Sequence, residues 1–423
     1  MHLKNILVSQ SLKDFSSLFF SNIFQKVLGL IRELIIAFFL GTSVLYANFL
    51  LLRIVADFFS QITAGNALKA NLLPKFTKLY EKYEEISLTQ VFVFSKKTSI
   101  YLFLISQIIQ TSVIFYLNLE NNFLFYGASF ILSFSICFNF INTIFLTIIQ
   151  ARGMFLRYSY ASVTNSSVFT LLVYPLISVA SIMGLAISRL IGILSMSMAF
   201  VKPMQNEKSG VEIKLVHSDF NFPTLVLGNF ANIIIIFSRF VAGADGSNNI
   251  AFFMYAVIIL NALLTSVISN ISTILLRKTA IKRNTMLMIY SLAISLFAGL
   301  IMVICLHFFS YDIIKFVYLR GAFNLSDVQQ TSVYLYELSF AFVLLFMATI
   351  LFQPFLSLPI LTSKALRFKL VITFLIVLIL SSCVVFFPYF LPKERALIVV
   401  YSSSITVVIL AVYSYYYYFK QNI

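Results

Sequence analysis

Apolar runs of about twenty residues recur along the whole sequence, and they restrict this chain to very few folds. A run of that length crosses the hydrocarbon core of a bilayer as one helix, and only helices or closed barrels satisfy every backbone polar group there. The hydrophobic fraction is 60% and the charged fraction 11%, against ~45–50% and ~25% in soluble domains. The sequence therefore predicts an all-α polytopic membrane protein.

About twelve membrane helices are predicted from these runs. They fall at residues 15–40, 45–73, 98–118, 124–149, 159–180, 182–201, 221–243, 250–276, 285–309, 330–357, 370–387 and 396–418. The longest connection inside the array, residues 202–220, divides them into two sets of about six. We therefore predict two six-helix lobes, residues 1–217 and 218–423. The segment from Ser310 to Gln330 has the pattern of a short amphipathic helix in the membrane interface.

The connections between the predicted helices alternate in charge. Lys and Arg are concentrated at the termini and after the even-numbered helices, whereas the opposite side carries Lys315, Arg320, Lys393 and Arg395. Because basic loops stay in the cytoplasm, both termini are predicted to be cytoplasmic. This asymmetry also explains most of the formal charge of +15, so no nucleic-acid partner is predicted.

Ionisable residues lie inside the first two apolar runs, namely Lys26, Arg32, Glu33, Arg53 and Asp57. A charge at the bilayer centre costs at least ~2.5–3.5 kcal/mol, so such residues face a polar cavity or pair with each other. Arg53 and Asp57 are four residues apart and share a helix face, as do Lys26 and Glu33 over two turns. One interpretation is structural pairing between helices. The other is the wall of a hydrated, net cationic chamber for a phosphate or pyrophosphate, which arginine binds with two hydrogen bonds.

Other polar residues lie in the later runs. Arg239 either lines the same chamber or extends to the outer interface. Arg189 is interpreted as structural, and Glu337 is a candidate for cation coupling. Amides such as Gln107 and Gln110 form hydrogen bonds between helices, at ~0.6 kcal/mol each, or contact sugar hydroxyls. The predicted substrate-binding residues are Lys26, Arg32, Glu33, Arg53, Asp57 and Arg239.

The residue types that an enzyme would need are scattered. The three histidines and three cysteines have no metal-ligand spacing, and the first external turn, residues 41–45, has no pair of carboxylates. The external connections are also short. We therefore predict no metal, no cofactor and no catalytic residue, and transport is the better interpretation.

Two separated stretches resemble one family of transporters. Residues 25–33 read QKVLGLIRE and resemble the S-R-V-L-G-F-x-R-D pattern in the first helix of the MurJ/MviN lipid II flippases, which belong to the multidrug/oligosaccharidyl-lipid/polysaccharide exporter superfamily. Gly41 matches the glycine of the next turn, and residues 70–74 (ANLLP) are similar to the A-F-V-P ending of the second helix. Residues 319–323 (LRGAF), with Asp327 and Thr331, resemble the family's R-G-x-F-x-x-x-D-x-x-x-T segment.

The resemblance implies a V-shaped exporter fold with a central cationic cavity, in which Lys26 and Arg32 occupy basic cavity positions. Several family charges are replaced: Ala47 stands for an acidic residue, Ser60 or Gln61 for a basic one, and Tyr255-Ala256-Val257-Ile258 for Y-A-D-R. Gly65-Asn66 likewise replaces E-G. The family usually has fourteen helices, whereas about twelve are predicted here.

The function implied by the resemblance is translocation of an undecaprenyl-pyrophosphate-linked saccharide, lipid II or a related glycan, across the bacterial inner membrane by alternating access. Membrane lipids are the surrounding partners, and a cation gradient or the membrane potential drives the cycle. Within this class the alternative is an O-antigen or capsule repeat-unit flippase. Further alternatives are a cation-coupled drug exporter and a membrane glycan polymerase or ligase. The saccharide, coupling ion and oligomeric state are left open.

Overall fold

The computed structural model describes residues 2–64, 66–82, 86–119, 123–199, 211–212, 215, 221–245, 247–262, 285–356 and 360–420. The described helices, in chain order, are α1 (His2–Leu40), α2 (Val44–Ala64), α3 (Asn66–Lys82), α4 (Thr89–Tyr116), α5 (Phe123–Ala151), α6 (Phe155–Ser195), α7 (Phe222–Gly228), α8 (Phe230–Gly243), α9 (Asn249–Ala262), α10 (Thr285–Tyr318), α11 (Leu325–Leu356), α12 (Ile360–Ser382) and α13 (Pro392–Lys420). Short 3₁₀ turns follow α6 at Met196–Ala199 and α12 at Cys383–Phe386. Two strands, β1 (Ile86–Ser87) and β2 (Val211–Glu212), pair in parallel.

Most of these helices are long and apolar enough to cross a membrane. Within the described ranges there are 8 such helices, or 9 if the bent pair α7 and α8 is one span. α1 is not among them because Lys26, Arg32 and Glu33 fall in its apolar part. α9 is described only to Ala262, so the rest of the predicted span 250–276 lies outside the described residues. The chain is an all-α, multi-pass membrane protein, as the sequence predicted.

α6 is a helical hairpin, not one long helix. A straight helix over Phe155–Met198, 44 residues, would be about 66 Å long, twice the ~30 Å hydrocarbon core. Ser181 has non-helical torsions, φ 50° and ψ −130°, and the chain reverses there. A Cβ on Gly184 would lie 1.9 Å from the Leu176 carbonyl oxygen, so the two arms meet backbone to backbone. This confirms the predicted separate helices at 159–180 and 182–201.

Two predicted helices are interrupted and one is extended. The predicted span 221–243 bends by 74° at Asn229, whose side chain donates to the Leu225 carbonyl at 3.0 Å. The predicted span 45–73 divides between α2, which ends at Ala64, and α3. The predicted interfacial helix from Ser310 is wrong, because α10 continues without a break to Tyr318. Its apolar residues simply extend the preceding helix.

The packing of the chain defines two compact units. Unit 1 comprises Met1–Phe39 and Val55–Asn221, and unit 2 comprises Leu40–Ile54 and Phe222–Ile423. The predicted lobe boundary at 217/218 lies outside the described residues, so the two predicted lobes stay a prediction. Unit 1 extends to Asn221, four residues past the predicted boundary, and the turn after α1 and the first half of α2 pack with unit 2.

Each unit has its own packing chemistry. In unit 1, α4 and α5 are joined by amide-to-hydroxyl hydrogen bonds, from Gln107 to Ser129 at 3.3 Å and from Gln110 to Ser133 at 3.2 Å. These are the interhelical bonds that the sequence predicted. In unit 2, α7, α8, α11, α12 and α13 enclose an apolar core that includes the ring pair Phe230–Phe352 at 5.4 Å.

We expect Gly184→Ala to prevent the α6 hairpin from closing. The added methyl group would overlap the Leu176 backbone, which cannot move without separating the arms, and overpacking costs ~1–3 kcal/mol even where side chains can adjust. The readout is the yield of monodisperse protein on size-exclusion chromatography in detergent. Gly299→Ala is the matched control, because its methyl group would meet only the Val343 side chain at 2.9 Å. Equal yields of the two variants would contradict the hairpin.

Candidate functional site

Arg32 is held inside unit 1 by contacts on two sides. Its guanidinium lies 4.3 Å from the centroid of the Phe169 ring, on the first arm of α6, and 3.7 Å from the Glu33 carboxylate. Gly29, one turn earlier, leaves room for this side chain to fold back along α1, 3.9 Å from where a Cβ would stand. The Thr170 hydroxyl donates to the Leu28 carbonyl at 3.2 Å and joins the same two helices. The side chains of Arg32 and Glu33 are only 19% and 4% exposed.

Asp57 forms the tightest ion pair of the candidate set. Arg189, on the second arm of α6, donates to Asp57 Oδ1 at 2.9 Å, with both side chains largely buried. That distance is typical of a charge-assisted hydrogen bond, whereas the 3.7 Å between Arg32 and Glu33 is longer. The structural interpretation of Arg189 is therefore supported. Sequence spacing had suggested Arg53 as the partner of Asp57, and it contained no signal for a residue 132 positions away.

Lys26 differs from these pairs. It lies half-buried on α1, and no ion pair of Lys26 is found among the described residues. The apolar parts of the unit 1 helices thus hold Lys26, Arg32 and Arg189 against Glu33 and Asp57. Each carboxylate has an arginine within 4 Å, so the positive charge in excess is that of Lys26.

The other two candidates belong to unit 2. Arg53 is half-buried in the first half of α2, and Arg239 is half-buried in the last turn and a half of α8. The six predicted residues are therefore divided, with four in unit 1 and two in unit 2. Their joint role as substrate-binding residues stays a prediction.

Two further charged residues have partners that the sequence did not predict. Glu337 accepts from Lys393 at 3.0 Å, so the candidate for cation coupling is already neutralised by a neighbouring helix. Arg367 falls in the connection between the predicted spans 330–357 and 370–387, but in the structure it lies within α12 and is 1% exposed. Its guanidinium donates to the Thr224 hydroxyl at 2.8 Å and lies 5.5 Å from the Phe355 ring.

No metal-binding site is found in the part of the chain that the structure describes. No group of three His, Cys, Asp or Glu side chains there is arranged to hold a metal ion. Cys137, Cys305 and Cys383 are free thiols. What the described geometry offers is positive charge and hydrogen-bond donors inside apolar helices.

Comparison with known proteins identifies the fold. No protein-family model and no curated protein sequence matches the chain. The solved structure of the lipid II flippase MurJ in an inward closed conformation matches with a TM-score of 0.76 at 19% identity, over 95% of this chain and 87% of that one. An outward-facing multidrug resistance MATE transporter of the MOP superfamily matches with a TM-score of 0.63 at 14% identity, over 97% and 95%.

A third structure shows how one fold accommodates different pockets. It is a MOP superfamily transporter from Pyrococcus furiosus whose binding pocket has reverse polarity, and it matches with a TM-score of 0.56 at 13% identity, over 97% of this chain and 95% of that one. The chain therefore has the fold of the MOP superfamily transporters, with a higher TM-score to MurJ than to either of these two. This agrees with the resemblance found in the sequence.

We expect Arg189→Leu to destabilise unit 1 more than Lys393→Leu destabilises unit 2. Arg189→Leu would leave the Asp57 carboxylate without its arginine in a largely buried site, a loss of roughly 3–5 kcal/mol for a fully buried pair. The Lys393–Glu337 pair is nearly twice as exposed, at 29% and 30%, so its loss should cost less. The measurement is thermal unfolding of the purified proteins in detergent. If both variants unfold at the same temperature, the Arg189–Asp57 pair is not a main structural tie.

Proposed function

We propose that this chain is a flippase that moves an anionic, lipid-linked saccharide from the inner to the outer leaflet of the bacterial cytoplasmic membrane. A pyrophosphate-sugar head group cannot cross hydrocarbon unaided, because transfer of bare charge is prohibitive. Cations inside the helix array lower that barrier while the prenyl tail stays in lipid. The MurJ fold over 95% of the chain supports this class of transporter.

The observation that carries the proposal is the charge in excess on α1. Glu33 and Asp57 each have an arginine within 4 Å, and Lys26 adds a positive charge that no carboxylate of the described residues offsets. A phosphate provides the compensating charge, and lysine binds phosphate as a point charge. Arg32, whose guanidinium lies 4.3 Å from the centroid of the Phe169 ring, is the candidate for directional hydrogen bonds to phosphate oxygens.

The same charges disfavour an exporter of cationic drugs. Such an exporter needs carboxylates that present negative charge to the cargo, and here Glu33, Asp57 and Glu337 are each close to a basic residue.

We also propose that the protein is a transporter and not an enzyme, and that both termini lie in the cytoplasm. A cation gradient or the membrane potential biases the cycle, at ~2.3 kcal/mol per charge per 100 mV. Arg53 and Arg239, in unit 2, are proposed as additional contacts to the head group.

Depletion of the protein should cause one class of lipid-linked glycan to accumulate, as measured by mass spectrometry of extracted lipids in a strain that lacks redundant flippases. Accumulation of lipid II assigns a peptidoglycan role. Accumulation of another prenyl-pyrophosphate glycan assigns a surface-polysaccharide flippase of the O-antigen or capsule type. If no lipid-linked glycan accumulates, the proposed function is wrong.

Lys26→Gln and Arg32→Ala should abolish the ability of the gene to relieve that accumulation. Lys26→Gln removes the positive charge without leaving a carboxylate exposed to hydrocarbon, so its protein level in the membrane should remain normal. Arg157→Gln is the matched control, because Arg157 is a basic residue of the same unit that is exposed at the start of α6. Loss of the variant proteins from the membrane would instead assign Lys26 and Arg32 a structural role.

A further inference from the structure

A short segment of the chain packs with one unit although its neighbours in sequence pack with the other. Leu40–Ile54 belongs to unit 2, whereas the residues up to Phe39 and from Val55 belong to unit 1. The segment consists of the turn after α1 and the first half of α2. Because it is joined covalently to unit 1 on both sides, the contacts that it makes with the rest of unit 2 determine where it lies.

Asp327 makes the central contact of this segment. The Asn324 and Asp327 side chains form a capping box at the start of α11: the Asn324 N–H donates to Asp327 Oδ2 at 2.9 Å, and the Asp327 N–H donates to Asn324 Oδ1 at 3.0 Å. The helix start therefore orients the carboxylate, and its second oxygen, Oδ1, accepts from the Thr42 hydroxyl at 2.6 Å. Both side chains are buried.

Aromatic rings complete the contact around the turn. The Tyr255 hydroxyl donates to the Gly41 carbonyl at 2.9 Å, and the Tyr255 ring lies 6.0 Å from Tyr46 and 5.3 Å from Phe323. Gly41 has φ +50°, and a Cβ there would lie 2.7 Å from the Ala322 carbonyl oxygen. Glycine is therefore needed at this position both for the turn and for the close approach.

These contacts bring together two motifs that are almost 300 residues apart. The turn at Gly41 and residues 319–331 each belong to a sequence motif that resembles the flippase family. The two motifs contact each other in unit 2, whereas the candidate cargo residues Lys26 and Arg32 belong to unit 1. The contacts consist of hydrogen bonds and ring packing, which break and re-form without covalent change. A transporter that works by alternating access needs elements of this kind, with two arrangements.

We propose that the Thr42–Asp327 contact is a reversible latch. Unit 2 holds Leu40–Ile54 in the state described here and releases it in another state of the transport cycle. The inference rests on the proposed transport function. Asp327 is a positioning residue: it acts through Thr42 and sets the population of the latched state, without touching the cargo.

Thr42→Val tests the latch, because it removes the hydroxyl, keeps the shape and leaves the capping box intact. A cysteine in place of Ala47, which is buried in α2, reports release through its rate of labelling by a water-soluble maleimide. The native cysteines are replaced by serine in all variants. We expect labelling to be faster by about tenfold, the change that loss of one hydrogen bond produces in an equilibrium.

Thr331→Val is the matched control. Thr331 is buried one turn after Asp327, and its hydroxyl has no hydrogen-bond partner among the described residues. Its removal should leave the labelling rate unchanged. A second reporter, Ala348→Cys, lies in the apolar core of unit 2. If Thr42→Val accelerates labelling at both reporters, the effect is general destabilisation. If the two threonine variants label at the same rate, the Thr42 hydroxyl does not hold the segment. Either result overturns the latch.

A disulfide tests whether release is needed for transport. Thr42→Cys/Asp327→Cys places two thiols at the contact that the Thr42 hydroxyl and the Asp327 carboxylate make, and the oxidised fraction in which mass spectrometry detects the disulfide should hold the segment locked. We expect the oxidised protein to lose transport of the lipid-linked glycan and the reduced protein to regain it. Full transport by the oxidised protein would show that transport does not require release of the segment, and it would overturn the latch as a step of the transport cycle. Absence of any accumulated glycan after depletion would count against the flippase function alone, since maleimide labelling reads the latch without a substrate.

Discussion

A charge inside hydrocarbon has to be neutralised or hydrated, and this constraint explains how the helices of unit 1 are joined. Asp57 on α2 and Arg189 on the second arm of α6 neutralise each other at 2.9 Å. Arg32 on α1 lies between Glu33 and the Phe169 ring of the first arm of α6. Contacts of charged side chains therefore join the α6 hairpin to α1 and to α2. Lys26, for which no ion pair is found among the described residues, is the charge that we propose for binding an anionic cargo.

The backbone provides a second kind of tie, at places where a side chain would not fit. Gly184 lets the arms of α6 meet, and Gly41 lets the turn after α1 reach the Ala322 carbonyl. Around Gly41, the Thr42 hydroxyl contacts the capping box at the start of α11, and the Tyr255 and Phe323 rings pack beside it. A glycine and an aspartate that look unrelated in sequence thus serve the same contact. That contact joins Leu40–Ile54, which is flanked in sequence by unit 1 on both sides, to the rest of unit 2.

The fold and the cargo depend on different parts of this chain. The same fold is found in MurJ and in MATE transporters, at identities of 19% and 14%, so helix packing does not determine what is carried. The cargo that we propose for this chain rests instead on the few charges inside its helices. Glu33 and Asp57, the carboxylates of unit 1 that the structure describes inside apolar helices, each have an arginine within 4 Å, and this is why we propose an anionic cargo and not a cationic one.

The sequence by itself determined the fold class, because apolar runs of about twenty residues have the length of membrane helices and are too long for the strands of a membrane barrel. It also separated the two arms of α6, which follow from local pattern, whereas the structure decided that the Gln107 and Gln110 amides bond between helices. Tertiary structure decided the partners. Asp57 on α2 pairs with Arg189 on α6, a partner outside its own helix. Arg367 is buried, and the chain bends between α7 and α8 at Asn229. A side chain's spacing along its own helix gives its face, but the residue it contacts is set by which helix packs against that face, and the sequence pattern carries no signal for that choice.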